Sequence, residues 1–370
     1  MLNRLKNSRL MFWSLELLIL AALVWTCTKI SFLFSPIGIF ISTLFVPIII
    51  SGFLFYLFNP VIKFLMKVKI KKFSISRTGA VAILFLFLAI VLIALVGYLI
   101  PRLMTQLGQL VTNIPGYAKA VTDSSTDTFN HLNNYAWFKE IDFNSYLKQF
   151  ENSMGTYFQS IATNLTNSIG SMIGVATTVT IVALTVPVML FYMLKDGQKL
   201  VPTLKKLVPE KHGDELVELL GRMGDTISAY IGGQAIECLF VGVFTAIGYS
   251  IIGMPYILLL GVMAGLANVI PYIGPYIGIF PALIIAVTQS TQMIVFVIIV
   301  VLIVQQIDGN FVYPNVIGKS LNIHPLTIIV LLLVAGNIAG LPGMILGIPL
   351  YAVIKVVVQY FFEIRRLQEK

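Results

Sequence analysis

The stretch GAVAILFLFLAIVLIALVGYLI, residues 79–100, runs for 22 residues without a charge. A helix needs about 20 predominantly apolar residues to cross a bilayer, so these residues read as a membrane span. Pro101 and Arg102 mark its end. The same character recurs outward from it. Residues 11–34 qualify despite Glu16 and Lys29, residues 37–58 qualify with Pro47 as a kink, and residues 172–194 qualify with Pro187 inside. Further apolar runs lie at 235–252, 256–270, 279–288, 293–304 and 326–357. The expected fold class is all-α, a polytopic membrane protein with about eight transmembrane segments. Its C-terminal half is expected to contain Pro/Gly-broken or re-entrant helices.

Composition agrees. Of 370 residues, 58% are hydrophobic and 11% charged, against roughly 25% charged in soluble proteins. Mean hydropathy is +0.91. These values exclude a soluble enzyme, a disordered tail protein and a fibrous repeat. Basic residues outnumber acidic ones, 25 to 16. Membrane proteins keep Lys and Arg in cytoplasmic loops, so the net charge of +9 follows from topology and calls for no nucleic acid partner.

Arg4, Lys6 and Arg9 precede an apolar run that is too long for a secretory signal and has no small-residue cleavage site, so a retained first span is expected. Loop 59–78 holds Lys63, Lys67, Lys69, Lys71, Lys72 and Arg77 and no acid. The positive-inside rule then places the N-terminus and this loop in the cytoplasm. Lys195, Lys199, Lys205, Lys206, Lys211 and Arg222 mark a second cytoplasmic segment, and Arg365, Arg366 and Lys370 a cytoplasmic C-terminus.

Five regions follow. Residues 1–100 form a three-span membrane region and 101–171 an extracytoplasmic helical insert. Residues 172–194 are a fourth span, 195–231 a cytoplasmic amphipathic segment, and 232–370 a transport-core membrane region. In the insert, Phe143, Leu147, Phe150, Met154, Phe158, Ile161, Leu165 and Ile169 recur at steps of three and four, one face of a helix. That face suits either a self-packed hairpin or a subunit contact.

The two cysteines, Cys27 and Cys238, lie far apart in apolar runs, and His131, His212 and His324 lie in three different regions. No disulfide framework and no metal site is expected.

From Thr226 to Ile354 only Glu237, Asp308, Lys319 and His324 are acid, base or His side chains. Ionisable groups at membrane depth cost several kcal/mol unless paired or hydrated, and they mark ion or substrate paths. Loop positions at the interface are the bland alternative, most of all for Lys319 and His324. Asp308 sits in a polar string with Gln305, Gln306, Asn310, Asn315 and Asn322, tolerable only beside water or another polar helix. It is the leading candidate for a translocation site. Glu237, preceded by Gln234, is the second. It could pair with Lys319, carry a proton or face water.

The run Pro271-Tyr272-Ile273-Gly274-Pro275-Tyr276-Ile277-Gly278 breaks one apolar stretch. Gly340, Pro342, Gly343, Gly347 and Pro349 break another. Broken helices expose backbone groups that transporters and channels use to bind solutes. Ordinary proline kinking is the alternative. Pro271, Gly274, Pro275, Gly278, Gly340, Pro342 and Gly343 are the candidate pathway residues.

Gly232-Gly233-Gln234, Gly261, Gly265 and the Pro271–Gly278 run resemble the signature of the AI-2E (autoinducer-2 exporter) family, also called the PerM family. Asp308 with Asn310, Pro314, Ile317-Gly318-Lys319, His324-Pro325, Gly340-Leu341-Pro342-Gly343 and Pro349-Leu350 extends the resemblance. It implies a secondary transporter of the bacterial plasma membrane that exports a small polar solute such as autoinducer-2 or exchanges sodium for protons. It also implies a homo-oligomer, with a pentamer suggested.

No Walker-type glycine loop occurs, so ATP-driven pumping is not expected, and no cofactor is. A membrane enzyme is disfavoured. Asp308 with Glu237 is a poor aspartyl-protease dyad, and neither a His-Glu-x-x-His nor a Gly-x-Ser-x-Gly motif is present. A non-transporting oligomeric scaffold and a passive channel remain the other classes.

Overall fold

The computed structural model describes residues 9–29, 31–67, 69–70, 73–110, 112–113, 116, 172–316 and 323–368. The amphipathic face from Phe143 to Ile169 lies outside the described residues, as does Lys319. Among the described residues the protein is all-α apart from a two-residue antiparallel ladder, β1 (Lys69–Ile70) with β2 (Phe73–Ser74). Among the described residues, six helical stretches are long and apolar enough to cross a membrane.

Helices α1 (Arg9–Lys29) and α2 (Ser31–Lys67) come first. Helix α3 (Arg77–Ala94) follows, capped by the Ser76 hydroxyl, which accepts from the Gly79 amide at 3.2 Å. It continues through a π-turn at Leu95–Leu99 to Leu110. Helix α4 (Met172–Asp196) packs with α2 and α3 around Ile62, Val81, Leu84, Leu190 and Leu194. Arg77 pins the three together. Its Nε donates to the Leu194 carbonyl at 2.5 Å and its Nη2 to Asn59 Oδ1 at 3.3 Å.

After the short α5 (Leu200–Lys205), α6 (Glu210–Ile251) runs unbroken for 42 residues. Gly232 and Gly233 do not interrupt it. The polar segment that begins near Glu210 and the apolar run ending at Ile251 are therefore one rod.

Next come α7 (Ile257–Ala267) and α8 (Gly274–Val287). At 1.5 Å per residue they are about 17 and about 21 Å long, short of a roughly 30 Å hydrocarbon core. They form an antiparallel hairpin. A Cβ built on Gly278 would lie 2.9 Å from Ala264 Cα, and one on Gly274 would strike the Ala267 carbonyl. The hairpin lies along α6, where a Cβ on Gly265 would come 2.7 Å from the Cys238 carbonyl and 3.0 Å from Gly242 Cα. Only glycine permits that approach. The base of the hairpin is held by the extension of α3. Gln106 Oε1 accepts from the Leu259 amide at 2.9 Å, and Asn113 Nδ2 donates to the Tyr256 hydroxyl at 3.0 Å.

Helix α9 (Thr291–Ile307) passes into a π-turn at Asp308–Val312 and then α10 (Tyr313–Val316). The last element, α11 (Pro325–Gln368), is not one straight rod. Its backbone breaks at Ala339 and at Gly340, whose φ of +60° suits glycine. Beyond the break the chain folds back. A Cβ on Gly347 would lie 3.7 Å from Leu331 Cγ, whereas an unbroken helix would hold residues 331 and 347 about 24 Å apart. Gly343 likewise meets Ala335, and Gly336 meets Met344. The C-terminal half thus holds two helical hairpins. They meet in one cluster, where Ile270 of the first packs with Ile328, Leu332, Ile348 and Ala352 of the second and with Tyr230 and Ile231 of α6.

Candidate functional site

The tip of the first hairpin, residues 268–273, ends beside α6 and α9. A cavity of about 510 Å³ opens there. Asn268, Pro271 and Tyr272 line it from the tip, and Pro275, Tyr276 and Ile279 from α8. Glu237 enters from α6, and Gln305, Asp308 and Tyr313 from α9 and its continuation.

Glu237 is 4% exposed and Asp308 8%. Glu237 Oε1 and Asp308 Oδ1 are buried with no hydrogen-bond partner among the described residues. Buried polar atoms are usually bonded, and a buried carboxylate oxygen without a donor is costly. Two of them lining one cavity, from α6 and from the end of α9, point to a guest that neutralises them. No Lys, Arg or His among the described residues lines the cavity. Nor do the described residues contain a cluster of three His, Cys, Asp or Glu suited to a metal ion.

Gln234, one turn before Glu237, organises the floor. Its Nε2 donates to the Asn268 carbonyl at 2.8 Å and lies 3.4 Å from Glu237 Oε2. Tyr272 occupies the left-handed region at φ 64°, a conformation rare for a bulky residue. Both its ring and that of Tyr313 line the cavity. The π-turn beginning at Asp308 belongs to a class of helix defect that recurs at functional sites.

Of the residues singled out by sequence, Asp308, Glu237, Gln305, Pro271 and Pro275 line the cavity, and Gln234 supports it. Gly274 and Gly278 close the hairpin behind it. Gln306 of α9 and Asn310 of the π-turn are exposed, and Asn310 Nδ2 donates to the Gln306 carbonyl at 2.8 Å and to its Oε1 at 3.0 Å. His324 is exposed and accepts from the Leu326 amide at 3.3 Å, at the start of α11. Gly340, Pro342 and Gly343 form the turn of the second hairpin, not the cavity wall. Asn268, Tyr272, Tyr276 and Tyr313 were not singled out, although Asn268 is a lone amide in an apolar run and two of the tyrosines stand in the Pro271–Gly278 motif.

The sequence model described as AI-2E family transporter matches residues 17–363. The chain belongs to this family. YueF of Bacillus subtilis (strain 168) is 40% identical over 361 residues, covering 98% of this chain and 95% of that protein. YrrI of the same strain is 32% identical over 97% of this chain and 98% of its own length. PerM of Escherichia coli (strain K12) is 27% identical over 86% and 88%. The names of the first two call them transport proteins, and that of the third a permease, in each case provisionally. The AI-2E family chain is a polytopic membrane protein of the transporter class.

Proposed function

We propose that this AI-2E family protein is a secondary transporter, and that its translocated solute or coupling ion binds between Glu237 and Asp308. The observation that carries the reading is the pair of buried, unpartnered carboxylate oxygens lining one cavity. The two hairpins meeting beside that cavity support it, because transporters build midplane sites from discontinuous helices. The protein is a multi-pass resident of the bacterial plasma membrane with both termini cytoplasmic. Its cargo is a small polar solute such as autoinducer-2, or sodium exchanged for protons, and the reaction involves no catalysis.

Reconstitution in proteoliposomes tests this, with separate assays for sodium/proton exchange and autoinducer-2 efflux. Activity in one assay and silence in the other assigns the cargo. Asp308→Asn should abolish the active flux in protein that elutes as a single folded species. Unchanged flux in that variant would remove Asp308 from the path.

A further inference from the structure

The carboxylates are only part of what the cavity offers. Tyr272, Tyr276 and Tyr313 bring three aromatic rings to it. Hydrocarbon completes the lining, with Ile279 from α8 and Ile298, Val301 and Leu302 from the face of α9 that also carries Gln305 and Asp308. No basic side chain among the described residues is present to hold the two acids. We infer that the cavity between α6, α8 and α9 takes a small organic ammonium cation, one charged nitrogen attached to an apolar body.

Each feature of the cavity matches a part of that ligand. The orphaned oxygens of Glu237 and Asp308 attract the charge, and both side chains are more than nine-tenths buried. Removed from water, such acids gain most from a bound cation. Tyrosine faces attract ammonium groups through the ring quadrupole. The aliphatic lining then covers the hydrocarbon body, as in cavities for drug-sized ligands of about 300–1,000 Å³. A bare alkali ion fits less well. It needs a close shell of oxygens, and a cavity of about 510 Å³ with a partly apolar lining surrounds it poorly. An uncharged polyol leaves both carboxylates without a counter-charge.

This inference rests on the proposed transport site and puts an organic cation there in place of the polar solute or sodium ion named above. The test is calorimetric binding to the purified full-length protein with choline and with n-butylammonium. The uncharged analogue of choline, 3,3-dimethylbutan-1-ol, serves as the comparison. At least one ammonium should bind about tenfold or more tightly than the alcohol, which corresponds to 1.4 kcal/mol of charge recognition. Asp308→Asn and Glu237→Gln should each weaken binding about tenfold or more, as expected when a buried charge loses its partner. If either variant fails to fold, the wild-type comparison of cation with alcohol still decides the question.

Equal or absent binding of ammonium and alcohol would overturn the inference. If sodium or proton flux still depended on Asp308 in proteoliposomes, the proposed transport site would stand and only the cargo class would fall. Flux indifferent to Asp308, together with no ammonium binding, would overturn both.

Discussion

Gln234 Nε2 donates to the backbone oxygen of Asn268 at 2.8 Å, joining the middle of α6 to the tip of the first hairpin. This bond sets the distance between the Glu237 carboxylate and the hairpin residues that face it. Gln234→Met keeps the volume and removes the donor. The orphaned Asn268 carbonyl costs about 1–3 kcal/mol, and losing the unpartnered Gln234 Oε1 gives part of that back, so a net loss near 1 kcal/mol is expected. Thermal unfolding in detergent measures it. A melting temperature equal to that of the parent protein would show that the bond contributes nothing.

The contact between α6 and α7 predicts opposite outcomes at two glycines of similar helical context. Gly265→Val places methyl groups against the Cys238 carbonyl and Gly242 Cα, and overpacking of this kind costs about 1–3 kcal/mol. Gly232→Ala meets nothing within 4 Å and gains helix propensity of up to about 1 kcal/mol. Size-exclusion profiles and melting temperatures should therefore separate the two variants in opposite directions. A destabilised Gly232→Ala would mean that this face of α6 is not open.

The membrane fold could be read from single residues. A charge-free run such as 79–100 has few soluble alternatives, and the glycine and proline breaks at 271–278 and 340–349 have a direct steric reason. The site was legible only where an ionisable group stood out against apolar neighbours, as Asp308 and Glu237 do. Tyr272, Tyr276 and Asn268 carry no such signal, because a tyrosine or an amide is unremarkable by type. Their position at the cavity follows from the hairpin bringing residue 268 back to residue 234. Gln306 and Asn310 share the polar string of Asp308, but helical phase turns them to the other face. Whether α11 crosses or folds back depends on the φ of +60° at Gly340, which composition does not encode.

At the other end of the first hairpin, α7 is preceded by Tyr256 in the N-cap position, whose side chain makes no cap bond. The first-turn amide of Leu259 is satisfied instead by Gln106 from the α3 extension. Helix N-termini that lose such a cap lose about 0.5–2 kcal/mol, so Gln106→Leu should destabilise by that amount. The loss should appear first as local opening. Hydrogen exchange at Leu259 and Leu260 would rise while exchange at Leu190 and Leu194, in the α2–α4 cluster, stays unchanged. A uniform rise across both regions would assign the effect to global unfolding and remove the cap from the argument.

The fold-back of α11 is the feature most open to direct chemical proof. Residues 331 and 347 belong to a stretch whose length and hydropathy alone suit a single span, in which they would be about 24 Å apart. In the hairpin a Cβ at position 347 lies 3.7 Å from Leu331 Cγ. A cysteine sulfur at 331 would stand near that Cγ position, within reach of a sulfur on the Cβ at 347, whereas about 24 Å is far beyond the roughly 3.5–4.5 Å at which cysteine Cβ atoms bridge. In a background with Cys27→Ser and Cys238→Ser, the double variant Leu331→Cys with Gly347→Cys should therefore form an intramolecular disulfide under mild oxidation. The tight neighbour of a side chain at 347 is Ala335 Cβ at 3.0 Å, which must give by a few tenths of an ångström to admit the new cysteine. Mass spectrometry of the proteolysed protein would detect the linked peptide, and a monomer-sized band on a non-reducing gel would exclude linkage between copies. The pair Leu331→Cys with Leu350→Cys, offset along the facing arm, should form the bond more slowly. Failure of the 331–347 pair to link, with both thiols reactive towards maleimide, would require α11 to run straight and would dissolve the second hairpin.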